Sequence, residues 1–237
     1  MIKAELKRIL QAVVLISILL YGIMYYIVSD VDVNQYNFVK CVECVFNYRL
    51  FIGVYSLIFL FVICMYLKRA VVVEKIIKLS DIDDYIWFLE KKLMMISAGY
   101  SAIITILWGE ISINLFGLEK IDSLLLFKMF ITQFVGWLLL SSLSLLVMFI
   151  FVKPVITFAI LEALTILLNF RFDLSKSGKL DYFQVREYMY GFMNQGLYIN
   201  LAKTFFYFGC IVVIYVVTVK IAQKRDYLAG KARVNNE

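Results

Sequence analysis

Two cysteines three positions apart, in Cys41-Val42-Glu43-Cys44, and one glutamate inside an apolar stretch, Glu162, are the side chains here best placed for chemistry. A Cys-x-x-Cys pair supports a disulfide, thiol exchange or half of a metal shell. Thiol oxidation catalysis would require a second redox pair or a quinone relay. The other cysteines, Cys64 and Cys210, fall in separate apolar stretches and read as small packing residues. Zinc is disfavoured, because two thiols without histidine leave half its shell empty. Cys41 and Cys44 are therefore read as a candidate disulfide or as two free thiols, with membrane thiol oxidoreductase as a further reading. Glu162 is flanked by Ile160, Leu161, Ala163 and Leu164. A lone charge in hydrocarbon costs at least ~2.5–3.5 kcal/mol, so Glu162 is expected to face a polar cavity or to pair with a basic residue from another segment. Lys203, Glu110 and Lys128 lie near the ends of apolar stretches, where their stems can carry the charge to the headgroups.

The elements that must position these residues are membrane helices. Of 237 residues, 63% are hydrophobic and 18% charged, with one proline and no histidine. A soluble domain averages about 25% charged residues. Without histidine there is no Ser-His-Asp or Cys-His nucleophile pair, and no imidazole metal ligand. A span needs about 20 apolar residues. Six stretches qualify as candidates: Ile9 to Val28, Leu50 to Leu67, Leu93 to Leu115, Leu124 to Phe151, Val155 to Phe170 and Tyr198 to Val219. The first run is too long for a signal peptide and lacks a cleavage site, so it is kept as a span. The fourth is long enough to tilt or to hold two short pieces. Lys3, Lys7 and Arg8, then Lys68, Arg69, Lys75, Lys78, Lys91 and Lys92, then Lys153, and finally Lys220, Lys224, Arg225, Lys231 and Arg233 fall on one side of such a layout. The positive-inside rule places that side, with both termini, in the cytoplasm. The formal charge of +6 belongs to this bias rather than to nucleic-acid binding. The predicted fold is an all-α membrane protein forming one transmembrane domain over residues 1–237.

Three connections carry information. The outer loop Ser29 to Arg49 holds the cysteine pair. The cytoplasmic stretch Lys68 to Lys92 contains Ser80-Asp81-Ile82-Asp83-Asp84, a helix-start pattern. After it, Ile82, Tyr85, Ile86, Leu89 and Leu93 fall at helical spacing, with Asp83, Asp84, Glu90 and Lys91 on other faces. A short amphipathic helix is therefore expected at the cytoplasmic surface, leading into the third span. The outer segment Arg171 to Leu197 is aromatic and amphipathic around Tyr182, Phe183, Tyr188 and Tyr190, and is expected to rest at the outer interface, with substrate gating as its functional reading.

This plan resembles the membrane subunit of a type 2 ABC transporter, of the small exporter and bacteriocin-immunity kind. The lead-in Met1-Ile2-Lys3-Ala4-Glu5-Leu6-Lys7-Arg8 is similar to the cytoplasmic elbow of that class. Tyr85-Ile86-Trp87-Phe88-Leu89-Glu90-Lys91-Lys92 resembles the segment that carries the coupling helix, although Glu90 and three aspartates stand where a basic stretch is usual. The ending Lys220-Ile221-Ala222-Gln223-Lys224-Arg225-Asp226-Tyr227-Leu228 is similar to the basic close of many small permeases. The resemblance implies coupling to an ATPase through Asp81, Asp84, Tyr85, Trp87, Phe88, Leu89 and Lys91. It implies a translocation path near Glu162 and Lys203, and a re-entrant outer segment at Arg171 to Leu197. It also implies a separate ATP-binding subunit carrying ATP and Mg, a second permease chain, and no cofactor or catalytic residue on this chain. The chain has no G-x-x-x-x-G-K-S/T loop, so it is not the ATPase. The runner-up reading is a membrane immunity or interaction protein that works without ATP.

Overall fold

The structure, a computed structural model, describes residues 2–29, 38–70, 82–117, 123–151, 153–169, 185–190 and 197–234; at 2–10, 12, 38–39, 168–169, 197 and 225–234 it describes the backbone only. Among the described residues there are helices and no strand. In chain order they are α1 (Ile2–Ser29), α2 (Phe38–Val45), α3 (Tyr48–Ala70), α4 (Ile82–Phe116), α5 (Ser123–Phe151), α6 (Pro154–Asn169), α7 (Val185–Tyr190) and α8 (Leu197–Val234). Asp81, Tyr182 and Phe183 lie outside the described residues.

Among the described residues, four stretches are long and apolar enough to cross a membrane: Tyr48–Ala70, Ile82–Phe116, Ser123–Phe151 and Tyr198–Lys224. Val13–Ser29 and Pro154–Leu167 are shorter apolar helices. At 16 residues, α6 measures about 24 Å, less than the roughly 30 Å of hydrocarbon. Large apolar side chains stand exposed along α1 (Leu15, Ile18, Tyr26) and α8 (Phe205, Val212, Val213), the outward faces expected of a membrane protein.

Local sequence explains where the helices stop and start. Asn47 caps α3, its side chain accepting from the Leu50 N–H at 3.0 Å. Gly117, at φ 79°, closes α4 in the left-handed conformation, its N–H on the Ile113 carbonyl at 3.0 Å. Pro154 occupies the first turn of α6, where its missing N–H costs nothing. In α1, the lead-in and the first apolar run form one uninterrupted helix, since nothing between Ala4 and Ile9 breaks it. The expected short cytoplasmic helix is likewise no separate element: it is the first turns of α4, which runs unbroken for 35 residues, about 52 Å. α5 is a single straight-through helix rather than two pieces. α3 contains a π-helical stretch, Phe51–Ser56.

α5 is the centre. It packs against α3, α4, α6, α7 and α8. In its most apolar stretch 72% of residues are buried, against 22% for α8. Small residues let its neighbours approach. Ser97 of α4 and Ser141 of α5 meet at 3.2 Å. Ser141 and Ser144 also donate to the carbonyls of Leu138 and Leu140 at 2.9 and 2.7 Å. At Gly136 the missing side chain leaves a slot that Met189 of α7 fills. A Cβ there would lie 2.3 Å from Met189 Cε.

The segment expected at the outer interface is therefore partly an internal element. Val185, Tyr188, Met189 and Tyr190 are all buried, and the Thr132 hydroxyl meets the Met189 carbonyl at 3.0 Å. Gly136→Val is expected to lower stability by about 1–3 kcal/mol through overpacking, read as a reduced unfolding temperature in detergent. Adding Met189→Ala should recover part of the loss, because the two positions share one space.

Candidate functional site

Two regions gather the residues singled out above, at opposite ends of the bundle. At one end lie Lys68, Arg69, Lys91, Lys92, Lys153, Lys220 and Lys224, near which the last turn of α3, the first of α4 and the outgoing end of α8 meet. Here the first turns of α4 form an arm. Asp83 and Asp84 sit in its first turn, where carboxylates oppose the helix dipole favourably. The inward face, Ile86, Leu89, Glu90 and Leu93, is buried. The outward face carries Asp84, Lys91, Trp87 at 45% exposure and Phe88 at 50%. Lys91 Nζ lies 5.0 Å from the Trp87 ring and Lys92 Nζ 5.5 Å from Phe88, cation–π pairs across one helical turn.

The arm is fastened on three sides. The Tyr85 hydroxyl donates to the Ala70 carbonyl at the end of α3. Gln223 Nε2 of α8 donates to both Asp83 oxygens at 2.9 and 3.0 Å. Trp87 meets Tyr215 of α8 edge-on at 6.0 Å between centroids. The third side is α5, reached by Glu90, placed above on a polar face. It is only 4% exposed, and the Ser142 hydroxyl of α5 donates to its Oε1. The signal was present in the spacing, since Ile86, Leu89, Glu90 and Leu93 follow the i, i+3, i+4, i+7 pattern of one face. Its partner carries no such mark, because serine is ordinary in apolar helices.

At the other end, α7 is wrapped in aromatic rings. Tyr190 stacks on Phe46 at 4.1 Å, and Phe51 lies edge-on to Tyr190 at 6.1 Å. Tyr188 stacks on Tyr207 at 4.3 Å and bonds Thr204 at 3.0 Å. Arg186 donates from Nε to the Phe46 carbonyl at 2.8 Å and pairs with Glu187. Tyr188 and Tyr190 thus bind α7 to α8 and to the turn after α2. Lys203, beside Thr204 on α8, is buried within the bundle rather than extended to solvent. Glu110 is exposed and Lys128 half-buried.

Glu162 lies on α6. Its Oε2 is buried without a partner, and among the described residues no ion pair reaches it. Cys41 and Cys44 occupy successive turns of α2 as free thiols, Cys41 buried and Cys44 half-buried. Burial, with Cys44 adding to it, pushes the Cys41 thiol up, whereas a redox nucleophile requires the opposite. Among the described residues no cluster of three or more Cys, Asp or Glu side chains is placed to hold a metal ion. No known protein family, curated protein or solved structure matches the chain.

Two outcomes are expected. Ser142→Ala, which strips Glu90 of its donor, should destabilise the folded chain by about 1–3 kcal/mol in thermal unfolding. Under a maleimide pulse Cys44 should alkylate well before Cys41, read by peptide mass spectrometry, because Cys44 is partly exposed whereas Cys41 is buried and its thiol pushed up.

Proposed function

We propose that the chain is the membrane subunit of an ATP-driven exporter of the type 2 ABC class. In this reading the two shorter apolar helices span with the four longer ones, and the basic end with both termini faces the cytoplasm. The observation that carries the reading is the arm of α4. One face of it is fastened to α3, α5 and α8, while the other presents Trp87 and Phe88 to solvent. Exposed aromatics on a rigid, basic-rimmed helix end have the character of a docking surface for another protein. A short buried helix before the last apolar helix also suits the class.

The mechanism follows from rigidity. A separate ATPase subunit, holding ATP and Mg, closes on nucleotide and presses on Asp84, Trp87, Phe88 and Lys91. The arm cannot yield alone, because Glu90 ties it to α5 and Asp83 ties it to α8. The push therefore tilts the bundle and shifts it between two states, biased by nucleotide. A second permease chain completes the pathway. The cargo is an amphipathic peptide or lipophilic compound, with antimicrobial-peptide export or immunity as the cellular role.

Purification from native membranes in mild detergent tests this. An ATP-binding subunit with a phosphate-binding loop is expected to co-elute at near-equal amounts, and Phe88→Ala with Lys91→Ala should release it while the chain stays folded. A chain that purifies alone, and protects cells without any ATPase, would instead be an ATP-independent immunity or interaction protein.

A further inference from the structure

Gln133 lies in α5, the central helix, and is fully buried. Neither its Nε2 nor its Oε1 has a hydrogen-bond partner among the described residues. A primary amide brings two donors and an acceptor, and leaving all of them unmet in apolar surroundings is costly. Two more groups share that condition. Trp137 is fully buried and Tyr190 is 2% exposed, and neither the indole Nε1 nor the phenol oxygen has a partner among the described residues. Buried tryptophan and tyrosine usually find one.

The packing brings the three to one place. Gly136 of α5 meets Met189 of α7, and Trp137 stacks on Phe51 of α3 at 5.6 Å. Gln133 precedes Gly136 by three residues and Trp137 by four, so it lies one turn further along the same side of α5, in the wedge between α7 and α3. Tyr190, the residue after Met189, enters that wedge, its ring edge-on to Phe51 at 6.1 Å and stacked on Phe46 at 4.1 Å. The lining is uncharged: Phe46, Phe51, Gln133, Gly136, Trp137 and Tyr190. The nearby Arg186 is engaged by the Phe46 carbonyl and Glu187. The wedge therefore calls for a neutral occupant that both donates and accepts, and its burial favours a small one.

We propose that the wedge between α3, α5 and α7 is a binding site for internal water, which accepts from Gln133 Nε2 and Trp137 Nε1 and donates to Gln133 Oε1 and the Tyr190 oxygen. One buried water typically meets about three such groups, and a bridging water is nearly as good as a direct bond. The site joins α7 to α5 beside the Thr132–Met189 bond. It is independent of the exporter reading, which requires no water at this position.

X-ray radiolytic labelling of the full chain in detergent tests the assignment, because hydroxyl radicals made from bound water oxidise the side chains beside it. Tyr100 and Tyr188 serve as standards of the same residue type, both buried, with their hydroxyls bonded to the Tyr55 carbonyl and to Thr204. Tyr190 is expected to oxidise several-fold faster than either, read by peptide mass spectrometry. Gln133→Leu should bring Tyr190 down to their rate, with folding checked by circular dichroism. Trp137→Phe, which removes only the indole N–H and its ring, should lower the Tyr190 rate as well and keeps the test open if the leucine variant does not fold. Tyr190 oxidised no faster than Tyr100 and Tyr188, or a fast rate that neither substitution lowers, would overturn the assignment.

Discussion

Close approach to α5 is the constraint on which the rest of the structure depends. In a hydrocarbon surrounding, helices gain little from hiding apolar surface from one another, and association rests on fit and on shared polar contacts. α5 supplies both. Gly136 gives a slot, Ser141 and Ser142 give hydroxyls, and five helices meet it through those features or the apolar residues between them. Larger residues at these positions would hold α4 and α7 off, and both candidate regions would lose their geometry together.

The two ends then differ in kind. Where the basic side chains gather, α4 and α8 are longer than any apolar layer, and the α4 overhang packs against α8, the end of α3 and α5. The Tyr85, Asp83 and Glu90 ties make the overhang stiff, and stiffness turns a local contact into a bundle-wide motion. At the opposite end the short helix α7 substitutes for lipid or solvent inside the bundle. Its backbone polar groups are covered in part by the Thr132 hydroxyl, and its rings pack on Phe46 and Tyr207.

Much of this was legible in the residue order, because hydropathy and periodicity are local properties. The apolar stretches, the basic bias and the amphipathic run after Asp81 all came from windows of a few turns. The burial of α7 did not, since it depends on one glycine meeting a methionine 53 positions away. Nor did the inward placement of Glu90, where the spacing pointed inward but residue type pointed outward, and the deciding partner lay on another helix. Lys203 differs in the same way: proximity to a helix end suggests snorkelling to the headgroups, whereas its side chain is buried. Spacing left the cysteine pair as a disulfide or two thiols, and the structure has both as free thiols on α2.

The claim that matters most is that the outward face of the arm is a docking surface for an ATP-driven partner. A footprint of Phe88→Cys measures it directly. In membranes holding this chain alone, the thiol should react readily with a water-soluble maleimide, as half-exposed Phe88 implies. With the partner ATPase present it should be protected several-fold, while an exposed position away from the arm is unaffected. Equal reactivity with and without the ATPase, across nucleotide states, would contradict the account.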